Sequence, residues 1–582
     1  MITRKRFILL LCVLLTASWA SAQQVEVEEL VLDNGMTFLF VPREGDPNVA
    51  AGWLAKVGSA NERPGITGIS HLFEHMMFKG THAIGLAESV DIEANLALMS
   101  EMDLLKDQLR KEEEELLRRY RLGLIADLND PQNRSPRHQE LIEKFEELTL
   151  KEKGQLTKNE FDRIYTQAGG SGMNAGTTRD WTIYFINVPS NKLELWFWME
   201  SDRLLNPVFR EFYAERDVVR EERRLRTEST PTGKFREQFE SMFWTSHPYG
   251  WPVVGWPSDV ESITREEAEA YYDVNYAPNN LVACLVGDYD VETAKELARR
   301  YFGRLPRGPK DPEPVRTLEI EQQAEKRMIA YAETNPQVQV RWHSVADGHA
   351  DEPALLVIGA LLNGRSGRLY KSLVLDKEIA NRASAGQDGM KWAGYFSVNA
   401  VAKQGKDPLE VEQAIYEEIE KLKTELVEER ELQKVKNNFA ANNFRRIENN
   451  FFLMLQLLIA DGNRSWEAFN EDPKHLQAVT AEDVQRVAKK YFKDETRAVA
   501  LYYTKESDKP EDPMLAALSP EQKMMVKQME GRISQLDADQ LGQMLGQLEG
   551  GNVSEQMKAV VPVLKKMIEE RKKELEMEGQ EQ

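Results

Sequence analysis

The chain has two cysteines in 582 residues, Cys12 and Cys284. Cys12 falls in a leader that is expected to be removed, and the single thiol that remains cannot form an intrachain bridge. Stability must therefore come from packed cores and any bound metal. Beyond the first two dozen residues, no run approaches the roughly 20 apolar residues that a membrane helix needs. Positive charge is also in deficit, with 75 lysines and arginines against 96 acidic side chains and a formal charge of −21. Nucleic acid and anionic membrane surfaces repel such a field, which argues against both as partners. Histidine is rare, at eight residues.

What is present is the composition of a globular protein, 41% apolar and 29% charged. The length exceeds what one core supports, so two large domains with appendages are expected. The first stretch, MITRKRFILLLCVLLTASWASAQQ, joins a basic start (Arg4, Lys5, Arg6) to an apolar segment and then Ala20-Ser21-Ala22. That is the layout of a secretory signal over residues 1–22. It implies export, to the periplasm in a double-membraned bacterium and to the exterior otherwise.

The body of the chain mixes strand and helix patterns. Asn34-Gly35 supplies a hairpin turn, and Thr37, Leu39 and Val41 alternate with Met36, Phe38 and Phe40 as in a strand. Two distant stretches, 263–289 and 479–505, each run from a threonine through an acidic helix and an aromatic end into a strand. This points to an internal duplication. The expected fold is α+β, with two homologous halves that each form an antiparallel-rich sheet with packed helices. The first half covers 23–303, a proline- and charge-rich linker 304–317, and the second half 318–507. A helical hairpin inserted at 88–160 is marked by Leu98, Met102, Leu105, Leu109 and Leu116, then by Leu141, Phe145 and Leu148 after a break. Residues 508–582 read as a helical, Met-rich tail.

Two of the eight histidines lie in TGISHLFEHMMFKG. On a helix, His71 and His75 share a face and direct two imidazoles at one point, a geometry that suits Zn2+, while Glu74 on the adjoining strip is placed to take a proton from water. Alone, such a pair is as readily a surface feature without metal. A third ligand is offered by EFYAERDVVREERRLRTE, in which Glu215 and Glu222 lie seven residues apart. That spacing brings them within roughly 20° of one helix face, whereas Glu221 points about 120° away from Glu215. Glu222 is the expected ligand, with Glu215 supporting it.

The segments HLFEHMMFKGT, GGSGMNAGTTRDWTIYF, NPVFREFYAERDVVREE and HPYGWPVVGWPSDVESIT together resemble the pitrilysin/insulinase family of inverzincin peptidases, and especially its processing-peptidase-like branch. The resemblance covers most of residues 25–505. It implies zinc on His71, His75 and Glu222, Glu74 activating water, Glu215 near the metal, and Asn174 and Ala175 on an edge strand where an extended peptide adds. Taken by themselves, Asn174 and Ala175 are an ordinary turn entering a strand. The implied activity is endopeptidase hydrolysis of extended or unfolded peptides; the alternative is a low-activity peptide-binding or assembly component that keeps the fold.

Two departures stand out. Glu222 follows His75 by 147 residues, roughly twice the family's usual separation, with the hairpin at 88–160 accounting for the excess. In the second half, the positions where the family carries an arginine and, seven residues later, a tyrosine hold Val374 and Asn381. An aliphatic side chain donates nothing to developing negative charge. A homologous partner subunit that supplies the missing pair is therefore expected.

Overall fold

The computed structural model describes residues 24–505 and, beyond them, 514, 518–533, 536–549 and 555–580. The expected signal at 1–22 lies outside the described residues. The chain divides into two units, Met1–Thr504 and Lys505–Gln582.

The larger unit is built on two sheets. β1 (Glu28–Val31), β2 (Thr37–Pro42), β3 (Asn48–Ala55), β4 (Ser171–Thr177), β5 (Thr182–Pro189) and β6 (Leu281–Gly287) associate in the order β1-β2-β6-β3-β5-β4. β7 (Lys326–Ala332), β8 (Gln337–Ser344), β9 (Ala380–Gly389), β10 (Gly394–Ala402) and β11 (Arg497–Thr504) follow the order β7-β11-β8-β10-β9. Apart from β1, the two sheets have one topology, because β2 runs parallel to β6 as β7 does to β11, and every other pair is antiparallel. The hairpin between β1 and β2 turns at Gly35, whose φ of 94° is one that glycine adopts without strain.

In the first half, α1 (Ile69–Met76) follows β3, and the insertion contributes α2 (Ile92–Arg121) and α3 (Pro136–Lys153). α4 (Phe212–Arg223) and α5 (Arg265–Asn275) come before β6. The second half supplies α6 (Glu352–Leu362), α7 (Asn450–Asn463) and α8 (Ala481–Tyr491). α5 and α8 both begin with a capping box, Thr264 with Glu267 and Thr480 with Asp483, and both feed a strand of their sheet's parallel pair, β6 or β11. The duplication visible in sequence is thus a repeat of topology.

α1 presses Leu72, Phe73 and Met76 into a core with Phe38, Phe40, Trp53 and Tyr184 on one face of the first sheet. The opposite face, with Leu39, Val41, Leu54 and Cys284, is covered by Leu453, Met454, Leu457 and Leu458 of α7. A second-half helix therefore closes the first-half sheet, which is why both sets of alternating β2 side chains are buried. Cys284 is fully buried, and burial pushes its thiol well up, so it is neither a bridge nor a nucleophile.

The insertion forms the expected hairpin, with Asp91 and Ser135 capping its two helices. Its apolar stripe of Leu98, Met102, Leu105, Leu109, Leu141 and Leu148 belongs to the first-half core. In the smaller unit, helices Pro520–Ile533, Ala538–Glu549 and Val561–Gln580 share a core that includes Val526, Leu541, Leu564 and Ile568. Among the described residues no helix is long and apolar enough to cross a membrane.

Candidate metal centre

α1 begins at Gly68, where φ is 92° and an added Cβ would lie 2.6 Å from the Val254 carbonyl oxygen. The helix lacks a side-chain cap of the usual kind. Instead the buried Glu62 carboxylate accepts from the backbone N–H of Gly68 at 2.8 Å and of Ser70 at 2.9 Å. Two of the donors that open the helix are satisfied in this way. With its start fixed and its apolar face in the core, α1 holds the His71 and His75 rings 5.1 Å apart.

α4 brings the third group. Glu222 Oε2 lies 3.7 Å from His71 Nε2 and 3.4 Å from His75 Nε2. One ligand atom from each of the three residues falls within 4.8 Å of the others, and this is the cluster suited to a metal found among the described residues. Burial holds His71 below the ordinary imidazole value, which favours the neutral form with its lone pair available. Two imidazoles and one carboxylate fit the donor set of a catalytic zinc with a fourth position open.

Glu215 occupies a different place. Its Oε2 accepts from His75 Nδ1 at 3.2 Å, while Oε1 pairs with Lys79. With both oxygens engaged, Glu215 fixes the His75 tautomer and turns Nε2 toward Glu222. Burial alone would pull His75 down, but the Glu215 bond and the nearby carboxylates outweigh it and leave the ring above its usual value. Burial likewise pushes Glu215 up, yet its bonds to His75 and Lys79 bring it below the usual carboxylate range. Glu221 is 52% exposed in its side chain and bound to Arg224, on the far side of the helix from this cluster.

Glu74 accepts from Thr177 Oγ1 at 2.7 Å, so the side chain between the histidines is held by the last residue of β4. β4 is an edge strand that pairs with β5 alone. Asn174 lies opposite Phe185 and Ala175 opposite Tyr184. Both line a pocket of about 480 Å³ together with His71, Glu74, Thr177, Glu222 and Arg226. The structure thus draws His71, Glu74, His75, Glu215, Glu222, Asn174 and Ala175 into one region. In the second half, Val374 packs against the apolar core, and Asn381 donates to the Ala402 carbonyl at 3.3 Å, so neither offers a cation or a phenol.

Sequence reasoning missed Glu62, Lys79, Thr177 and Arg226. Lys79 had a signal, because it stands four residues after His75. Glu62 and Thr177 act from a loop and a strand, where periodicity carries no information about distant partners.

Two topologically repeated α+β halves, with an H-x-x-E-H helix facing a distant carboxylate beside an edge strand, define a class of metallopeptidase-like protein. Family models agree: "Insulinase (Peptidase family M16)" matches residues 39–96 and "Peptidase M16 inactive domain" matches residues 262–439. The zinc protease PqqE of Helicobacter pylori is 25% identical over 479 residues, which is 80% of this chain and 90% of that protein. A probable mitochondrial-processing peptidase subunit beta of Arabidopsis thaliana is 26% identical over 351 residues, 57% of this chain and 64% of that protein. The crystal structure of a protease from Helicobacter pylori superposes with a TM-score of 0.67 at 23% identity, covering 82% of this chain and all of that one. In both halves the chain is similar to the pitrilysin/insulinase family of peptidases.

Proposed function

We propose that the protein is an exported zinc endopeptidase that cleaves extended or unfolded peptides. The observation that carries this reading is the convergence of His71, His75 and Glu222 within 4.8 Å beside a pocket that Glu74 and an edge strand share. His71, His75 and Glu222 would hold the ion, which when bound supplies a Lewis acid that polarises a carbonyl and acidifies water. An extended peptide adds to the open side of β4 near Asn174 and Ala175 through main-chain hydrogen bonds. Glu74, oriented by Thr177, takes a proton from the attacking water and passes it to the leaving amine. Glu215 and Lys79 keep His75 in the tautomer that presents Nε2. The leader at 1–22 supports export.

The vacancy at Val374 and Asn381 supports a two-chain enzyme in which this chain bears the metal and a homologous subunit supplies the arginine and tyrosine. One relative is itself named as a subunit. The same vacancy favours the second reading, a peptide-binding or assembly component with little turnover. Zinc content and cleavage of a quenched peptide library, measured alone and with a candidate homologue, separate the readings. Stoichiometric zinc with cleavage that Glu74→Gln abolishes supports the enzyme; zinc and peptide binding without cleavage in any mixture supports the assembly component. Full activity from a demonstrated monomer, unchanged by the homologue, overturns the two-chain arrangement.

A further inference from the structure

Two arginines line the pocket beside His71, Glu74 and Glu222, and their circumstances differ. Arg223 is buried, and its two terminal nitrogens each donate to Glu237 at 2.6 Å, with a further bond to the Gly255 carbonyl. Its charge is spent inside the fold. Arg226 sits in the π-helical turn Arg224–Glu228 that extends α4, and its side chain is 77% exposed. Nη1 pairs with Glu222 Oε1 at 2.6 Å, the oxygen other than the one nearest the histidines. A guanidinium carries five N–H donors in a planar fork, and among the described residues the rest of this fork has no protein acceptor. The second half supplies no cation at Val374 or Asn381 either, so Arg226 is the open cationic group at the pocket.

We propose that Arg226 is a specificity-determining residue that pairs with a carboxylate side chain of the substrate next to the scissile bond. The proposal rests on the peptidase reading and deepens it. A chain with a formal charge of −21 repels acidic peptides at a distance. A preference for Glu or Asp beside the cleaved bond therefore requires a local cation, and Arg226 lines the same pocket as Asn174 and Ala175 of β4, the strand along which a peptide would lie. The pair is exposed, so its effect is modest and shrinks with salt.

The experiment compares matched peptides that differ by Glu against Gln at the positions flanking the scissile bond, read as the ratio of their kcat/KM values. A ratio does not depend on the fraction of enzyme loaded with metal, so a role of Arg226 confined to holding Glu222 leaves it unchanged. Wild-type protein is expected to favour the Glu peptide about three- to fivefold. Arg226→Gln brings the ratio to one, Arg226→Lys keeps part of it, and Arg224→Gln, which alters a guanidinium tied to Glu221, leaves it intact. Fluorescence anisotropy of the same peptides on Glu74→Gln protein reads the preference in binding alone. Equal handling of the two peptides by wild-type protein, or a ratio that persists in Arg226→Gln, overturns the proposal. If no peptide is cleaved, the peptidase reading fails, and the anisotropy comparison still decides the role of Arg226.

Discussion

Three glutamates over two turns of α4 make a graded prediction for metal affinity. Glu222 Oε2 faces both histidine Nε2 atoms, Glu215 meets His75 at Nδ1 and pairs with Lys79, and Glu221 faces solvent with Arg224. In Glu215→Gln the amide oxygen still accepts from His75, but the charge that offsets Lys79 and stiffens the imidazole is gone. Loss of an outer partner of this kind weakens metal binding by roughly 10- to 100-fold, about 1.4 to 2.7 kcal/mol. Glu222→Gln removes an anionic ligand and is expected to exceed about 100-fold. Glu221→Gln is expected to change the affinity by less than about twofold, since an exposed ion pair is worth a few tenths of a kcal/mol. Competition with a chromophoric chelator measures each dissociation constant, metal analysis after dialysis gives occupancy, and circular dichroism confirms the fold. A zinc loss in Glu221→Gln equal to that in Glu222→Gln would refute the assigned face of α4. Equal losses in Glu215→Gln and Glu222→Gln would refute the division between orienting partner and ligand.

Thr177→Val frees Glu74 from its one side-chain hydrogen bond among the described residues and is expected to lower kcat about three- to tenfold with zinc content unchanged, as steady-state kinetics and metal analysis would show. Asp103→Ala leaves the buried Arg265 guanidinium with only the exposed Glu269 carboxylate at 4.0 Å and Tyr213 without its acceptor, and denaturant unfolding should report a loss of about 2 kcal/mol. Burial holds both His247 and His343 down at about 4, against an ordinary value of 6.5. The unfolded chain binds protons there that the native one refuses, so stability falls as pH drops from 6.5 toward 4; chelator-treated protein unfolded at pH 7 and at pH 5 should show the drop, and His343→Leu should reduce it.

Much of the candidate metal site was legible because it is local or periodic. His71, Glu74 and His75 lie within one turn and a half of helix, and 100° per residue is enough to choose Glu222 over Glu221. The duplication was legible because both copies keep a threonine-capped helix before the sheet's inner strand. Contacts at long separation were not. NFFLMLQLLIA forms the helix α7, but nothing in its pattern says that it covers β2, β3 and β6 of the other half. Nor does periodicity reveal that Glu62 would cap α1 or that the last residue of β4 would reach Glu74. An apolar stripe tells which face is covered, not what covers it.

The insertion shows how a long excursion leaves a candidate metal site undisturbed and still bears on it. It leaves and rejoins the fold at neighbouring points: Leu86 bridges Leu156, the Ala87 N–H donates to Gln155 at 2.9 Å, and the Thr157 N–H donates to Gly85 at 3.1 Å. Glu160 accepts from the Gly85 N–H at 2.7 Å and locks the same neck. Because the two ends meet, the path from α1 to α4 is the one a short loop would take, whatever length is inserted between them. The hairpin then packs back against α4. Asp103 of α2 accepts from Tyr213 of α4 at 2.8 Å, and Glu152 of α3 accepts from the Glu211 N–H at 3.1 Å, at the start of that helix. Arg210, fully buried just before α4, donates to Asn95 of α2 at 2.9 Å and to the Thr81 carbonyl at 2.8 Å, tying the helix start to the insertion and to the loop after α1 together. The helix that carries Glu215 and Glu222 is thus anchored at its first turn by the inserted segment. The extra residues between the candidate ligands act as a brace on α4, and the placement of Glu215 and Glu222 rests on their packing rather than on their number.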